Sequence, residues 1–198
     1  MSRRPRKQQT RGKDAQVRII AGEWRGRKLP VADLPGLRPT GDRGRETLFN
    51  WLQMAVPGAR CLDLFAGSGA LGFEAASRGA ASVHLVEIAP MAISTLINSR
   101  NDLQANQVEV HRANALDWLE QQAADAFDIV FLDPPFDSGL AIRTLQALAE
   151  QGCVAPGGYI YVETAARLPE LVMHPPYGLH RDKVMGEARM QLFRRDPE

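Results

Sequence analysis

From residue 60 onward, short apolar runs alternate with helix-forming stretches, and this pattern leaves few folds open. The apolar runs are Arg60–Phe65, Ser82–Glu87, Val108–His111, Phe127–Leu132 and Tyr159–Glu163. The stretches between them, roughly 69–78, 90–104, 115–123 and 138–151, read as helices. Strands that are apolar throughout are buried on both faces, as in a parallel sheet layered between helices. The rhythm breaks near the end. Leu179–Val184 and Ala188–Arg194 are joined by Met185, Gly186 and Glu187, with no room for a crossover helix. They are expected to form an antiparallel hairpin at the end of the sheet.

The region before residue 60 is organised differently. Val17–Ile20 and Arg27–Val31 flank a segment with glycines at 22 and 26, which predicts a β-hairpin. A loop with Pro35 and Pro39 follows, and Asp42 is expected to cap a helix running to about Ala55. Residues 1–14 lack any apolar anchor and read as disordered. The chain therefore divides into a basic tail (1–15), a hairpin-and-helix extension (16–57) and an α/β domain (58–198). Charge follows the same division. Residues 1–45 hold 13 Lys and Arg against four acidic residues, and the remainder holds 11 against 19, so +9 and −8 give the net +1. A basic arm on an acidic body suits a polyanion such as nucleic acid, and it equally suits a solubilising tail. Cys61 and Cys153 have no metal-ligand spacing, and no apolar run approaches the ~20 residues of a membrane span. A reduced, cytoplasmic protein is the expectation.

Two turns carry the chemistry. The first, Gly67-x-Gly69-x-x-Gly72, follows a strand and opens a helix, so a ligand can approach its backbone closely. Glu87 ends the next strand, 18 residues after Gly69, where a carboxylate can accept from both hydroxyls of a ribose. The fingerprint alone also fits a dinucleotide. Asp63, four residues before Gly67, argues otherwise, because a pyrophosphate beside that carboxylate would be repelled. S-adenosyl-L-methionine brings an ammonium and a sulfonium, which an acidic residue favours. The candidate cofactor set is Asp63, Ala66, Gly67, Ser68, Gly69, Glu87 and Ile88. A tight packing turn with Asp63 capping its helix is the plainer alternative.

The second turn is Asp133-Pro134-Pro135-Phe136, at the exit of the run Phe127–Leu132. Two prolines remove two donors and stiffen the turn. Asp133 and the Pro134 carbonyl then offer two acceptors where ligands bind in open α/β sheets, and Phe136 offers a face for a base. This suits the exocyclic amine of a nucleobase. Two acceptors hold both N–H bonds, raise electron density on nitrogen and align it for methyl transfer. The candidate catalytic residues are Asp133, Pro134, Pro135 and Phe136.

These motifs, with RIIAGEWRGRKLPV (18–31), LRPTGDRGRETLFNWL (37–52) and HRDKVMGE (180–187), resemble the bacterial 16S ribosomal RNA guanine-N2 methyltransferases of the RsmD type. The resemblance spans essentially everything after residue 16. It implies a Rossmann-like class I methyltransferase fold, S-adenosyl-L-methionine as cofactor, and a guanine of 16S rRNA in the small subunit as target. It also implies that Asn114 and Ala115 flank the adenine ring, with an ordinary helix cap as the alternative. Gly44 and Ala89 depart from the family's usual residues.

The remaining candidates are weaker. Arg18, Trp24, Arg25, Arg27, Lys28, Arg38 and Arg43 form a candidate RNA-binding set, although Trp24 equally suits packing on its own domain. His84, His111, His174 and His180 show no mutual spacing for metal or triad chemistry, so no metal is expected. No apolar stripe demands a partner, and a monomer is expected. Methylation of tRNA guanine or DNA adenine, or a non-catalytic RNA-binding role, would suit the same motifs.

Overall fold

A computed structural model of the chain describes residues 16–32, 41–135 and 139–197. Strands β1 (Gln16–Arg18) and β2 (Lys28–Pro30) form the expected antiparallel hairpin, with Val17 opposite Leu29. Helix α1 (Asp42–Trp51) follows. The main domain then runs β3 (Arg60–Asp63), α2 (Ala70–Ser77), β4 (Ser82–Glu87), α3 (Pro90–Asp102), β5 (Val108–Arg112), α4 (Ala115–Leu119), β6 (Phe127–Leu132), α5 (Leu140–Gln151), β7 (Val154–Ala165), β8 (Tyr177–Met185) and β9 (Ala188–Arg195). The sheet order is β5-β4-β3-β6-β7-β9-β8. Strands β3 to β7 are parallel, whereas β9 runs antiparallel to both β7 and β8. This is the Rossmann-like α/β architecture with the C-terminal hairpin that the sequence implies.

Alternation along the strands divides the core into two layers. Cys61, Val83 and Leu85 join one layer with Phe49 of α1, Phe73 of α2 and Leu96 of α3. Leu62, Val86 and Val130 join the other with Trp118 of α4 and Leu145 and Leu148 of α5. The chain moves outward from β3 to β5, then crosses back to β6 on the other side of β3. The carboxyl ends of β3 and β6 therefore meet at the switch point, where such sheets bind ligands.

The extension docks on α2 through a buried carboxylate. Glu74 is fully buried, and its two oxygens accept from the amides of Ile20 (2.7 Å) and Ala21 (3.0 Å). Arg78 donates to the same carboxylate at 2.7 Å, and the equally buried Arg45 lies 3.7 Å away. Ser77 adds three bonds: its hydroxyl accepts from the Trp24 amide and donates to the Ala21 carbonyl, and its own carbonyl accepts from Glu23. Gly22, at φ +83°, lets the hairpin come this close; a Cβ there would lie 1.8 Å from the Ser77 carbonyl oxygen.

Three expectations need correction. Asp42 does not cap α1. Gly41 occupies that position, and Asp42 instead accepts from Arg45 at 2.8 Å and pairs with Arg18 at 3.6 Å. A buried guanidinium needs acceptors more than an exposed helix end does. Helix α1 also stops at Trp51 rather than near Ala55. Strand β7 starts at Val154, five positions before Tyr159, because a register shift after Phe127 lets Val154 pair with that residue. The readings made for the tail, Arg38 and Phe136 fall outside the described residues.

Candidate active site at the switch point

The glycine turn is tied to all three strands around it. The Leu64 amide donates to the Phe131 carbonyl of β6, and the Ala66 amide to the Val86 carbonyl of β4. The Gly67 amide donates to Glu87 Oε2 at 2.9 Å. Gly69 stands at φ +76° as the first cap of α2, and a Cβ there would meet the Phe73 ring at 2.5 Å. Gly69 is thus required both by its backbone angle and by the packing of the helix behind it.

Asp63 is buried beneath this turn. Its Oδ2 accepts from the Gly72 amide at 3.2 Å, so the capping alternative accounts for one oxygen. Its Oδ1 is buried without a hydrogen-bond partner among the described residues. Burial pushes the carboxyl up to about 7, opposed by the amides of Gly72 and Phe65 and reinforced by the charge of Glu87. A buried carboxylate with a spare oxygen is costly unless a cation arrives to meet it.

Glu87 does more than the sequence implies. Besides Gly67, it accepts from the amides of Ile88 and Ala89, both at 2.8 Å and both at Oε1. Oε1 is therefore committed to the start of α3, and Oε2 keeps one lone pair for a ligand. Next to it, Ile88 is 62% exposed and Met91 59% exposed, a pair of apolar side chains at the rim of the turn. Met91 carried no sequence signal, since an exposed apolar residue at a helix start has no spacing to mark it. Ala66 and Ser68 are buried in the turn. Asn114 caps α4, its Oδ1 accepting from the Leu116 amide at 2.9 Å, and Ala115 is buried behind it. Asn114 keeps its NH2 group and a second lone pair on Oδ1.

On the other side of β3, Asp133 follows β6 directly and is half-buried; Pro134 is buried and Pro135 exposed. The neighbouring β7 contributes Tyr161 and Glu163, which sequence reasoning passed over as strand residues. Both are buried, and the Tyr161 hydroxyl donates to Glu163 Oε2 at 2.7 Å. Burial raises the Tyr161 hydroxyl well above its ordinary range, and the carboxylates of Glu163 and Asp133 add to the rise. The switch point thus holds a cation-seeking carboxylate on one side and an acceptor-rich turn on the other.

The cationic set separates into two groups. Arg18, Arg25, Arg27, Lys28 and Arg43 are exposed, with Arg27 bonded to the Asp102 carbonyl at 3.1 Å. Trp24 is only 7% exposed and packs in the layer with Phe49 and Leu29, so it has no free face for a base and leaves the RNA-contacting set. The hairpin tip also sits at the far end of α2 from the glycine turn, about 12 Å along the helix axis. The histidine reading changes as well, since pairing of β4 with β5 brings His84 and His111 together.

Comparison with known proteins follows the same geometry. The family model described as Conserved hypothetical protein 95 matches residues 17–194. The chain is 46% identical to ribosomal RNA small subunit methyltransferase D of Escherichia coli strain K12, over 92% of each protein. It is 44% identical to the protein of that name from Haemophilus influenzae, over 95% of this chain and 98% of that one. The solved structure of yhhF from Escherichia coli superposes with a TM-score of 0.83 at 45% identity, covering 93% of this chain and 100% of that one.

Proposed function

The chain belongs to the RsmD family of methyltransferases, and from that premise we propose that it uses S-adenosyl-L-methionine to methylate the exocyclic N2 amine of a guanine in 16S rRNA of the small ribosomal subunit. It would act as a cytoplasmic monomer; no helix among the described residues is long and apolar enough to cross a membrane. The observation that carries the reading is the buried Asp63 beside the glycine turn, whose Oδ1 has no hydrogen-bond partner among the described residues.

The residues fit the cofactor. Asp63 supplies an anionic acceptor for its ammonium, Glu87 a remaining lone pair for a ribose hydroxyl, and Ile88 with Met91 an apolar surface for adenine. Ala66, Gly67, Ser68 and Gly69 form the wall along the methionine portion, and Asn114 and Ala115 border the adenine side. When bound, the cofactor supplies an electrophilic methyl carbon. Asp133 and the Pro134 carbonyl accept the two N–H bonds of the target amine, which fixes its plane and enriches its nitrogen. The rigid Pro134-Pro135 segment holds these acceptors in place, so alignment rather than a strong base drives the step. Arg18, Arg25, Arg27, Lys28, Arg43 and the basic tail grip phosphates, which positions the RNA without reading its sequence.

The test uses purified small subunits, tRNA and duplex DNA with radiolabelled cofactor. Label should enter only the small-subunit RNA, at N2 of one guanine. Asp133→Ala should lower turnover by about 100-fold or more, since misplacement by ~1 Å costs that much. Asp133→Asn, which keeps an acceptor oxygen, should retain partial activity. Label confined to tRNA or DNA would sink the substrate assignment, and wild-type turnover in Asp133→Ala would sink the mechanism.

A further inference from the structure

A second cluster of chemistry-bearing residues lies on the other core layer, away from the methyl-transfer site. The register sets His84 on β4 opposite Glu109 on β5, and His111 follows two residues later on the same face. His84 Nδ1 lies 2.9 Å from His111 Nε2. Glu109 Oε2 lies 3.8 Å from the first and 3.7 Å from the second. A point equidistant from three atoms at these separations is about 2.0 Å from each, which matches zinc–imidazole and zinc–carboxylate bond lengths. That point lies in the plane of the three atoms, so a tetrahedral ion would need the two imidazole nitrogens to part by roughly half an ångström and the ion to sit out of the plane towards water. Trp118 and Phe127 wall the inner side, with ring centroids 5.1 Å from His111 and 5.6 Å from His84. The Glu109 side chain is 64% exposed, so the outer side opens to water.

We propose that His84, Glu109 and His111 form a binding site for a divalent transition metal of the zinc class. Two imidazoles and a carboxylate are the donor set such ions favour, and three protein ligands leave a fourth position for water. The ion would tie the edge strand β5 to β4, a link of different chemistry from the backbone ladder between them. The alternative is a histidine pair held by its own hydrogen bond against Trp118, which needs no ion.

The experiment titrates the full chain with zinc by calorimetry at neutral pH. A parallel titration with copper(II) follows Trp118 emission, which a bound paramagnetic ion at this distance quenches. One zinc per chain is expected. Glu109→Gln, at an exposed position that should not disturb folding, is expected to weaken binding at least tenfold, because even outer-shell partners of metal ligands cost 10–100-fold. His111→Gln should weaken it further, and His180→Gln, on β8, should leave it unchanged. Copper quenching should disappear in Trp118→Phe. Absence of zinc binding at millimolar concentration would overturn the proposal. So would binding that Glu109→Gln and His111→Gln leave intact. All these readouts are independent of methyl transfer.

Discussion

Asp63 and Glu74 are buried carboxylates six residues before and five residues after Gly69, which opens α2, yet their surroundings differ completely. Glu74 is satisfied from every side: two backbone amides and Arg78 bond to it, and Arg45 faces it. Asp63 has the Gly72 amide at Oδ2, with the Phe65 amide also acting on the carboxyl, and no hydrogen-bond partner at Oδ1 among the described residues. Burial is the same; the difference is whether the chain supplies all the partners. A buried acid completed by its own chain holds structure together. One left incomplete beside a glycine turn is a candidate contact for a ligand.

The contrast breaks most visibly through Glu74. Glu74→Ala leaves the buried Arg45 with only Asp42 and the Arg18 carbonyl as acceptors and frees the Ile20 and Ala21 amides. Stability should fall by about 3–5 kcal/mol, read by chemical denaturation, with cofactor affinity little changed. A loss below about 1 kcal/mol would show that the clamp is ornamental.

Asp63→Asn should do the reverse. Stability should stay within about 1 kcal/mol near pH 8, while affinity for S-adenosyl-L-methionine falls by about 2–3 kcal/mol, the worth of a hydrogen bond to a charged group. The pH dependence sharpens the point. A carboxyl raised to about 7 in the folded chain and near 3.9 when unfolded takes up a proton on folding across that window. Its contribution to ligand-free stability is present at low pH and lost as pH rises through about 7. Cofactor affinity should move oppositely, rising up to tenfold per pH unit until about 7 and then levelling. In Asp63→Asn the calorimetric affinity should be flat over that range; an equally flat wild-type profile would remove the cation from this carboxylate.

The smallest effect belongs to Glu87. Replacement by Ala would release the Gly67, Ile88 and Ala89 amides together and so confound turn collapse with ligand loss. Glu87→Gln preserves the shape and an acceptor. Affinity should drop about tenfold, the lower end for a charged acceptor. No change by calorimetry would remove the ribose from Glu87.

The main sheet was legible because β3, β4 and β6 are written locally, as apolar runs ending at an acid (Asp63, Glu87, Asp133), with β5 and β7 marked by the rhythm of the helices between them. The two switch-point turns were legible for the same reason. The hairpin seat was not. Glu74 meets Ile20 across 54 positions, and nothing near either residue marks the other. Trp24 shows the same limit from the opposite side. Its neighbours Arg25 and Arg27 gave it the look of an RNA contact, but Gly22 lets the hairpin fold onto Ser77 and turns the indole inward. His84 and His111 needed the β4–β5 register, and that register is a property of the sheet rather than of either strand.

The order of the last three strands has a consequence for how the chain is made. Strand β8 does not pair with β7, because β9 lies between them and pairs with both. A growing chain therefore produces β8 before its neighbour exists, and β7 keeps an open edge until β9 emerges. An open β7 edge is an invitation to pair with another chain. Tyr161 and Glu163, close to the acceptor turn, sit on that waiting strand, registered by β6 on one side and joined by β9 on the other only at the end of synthesis.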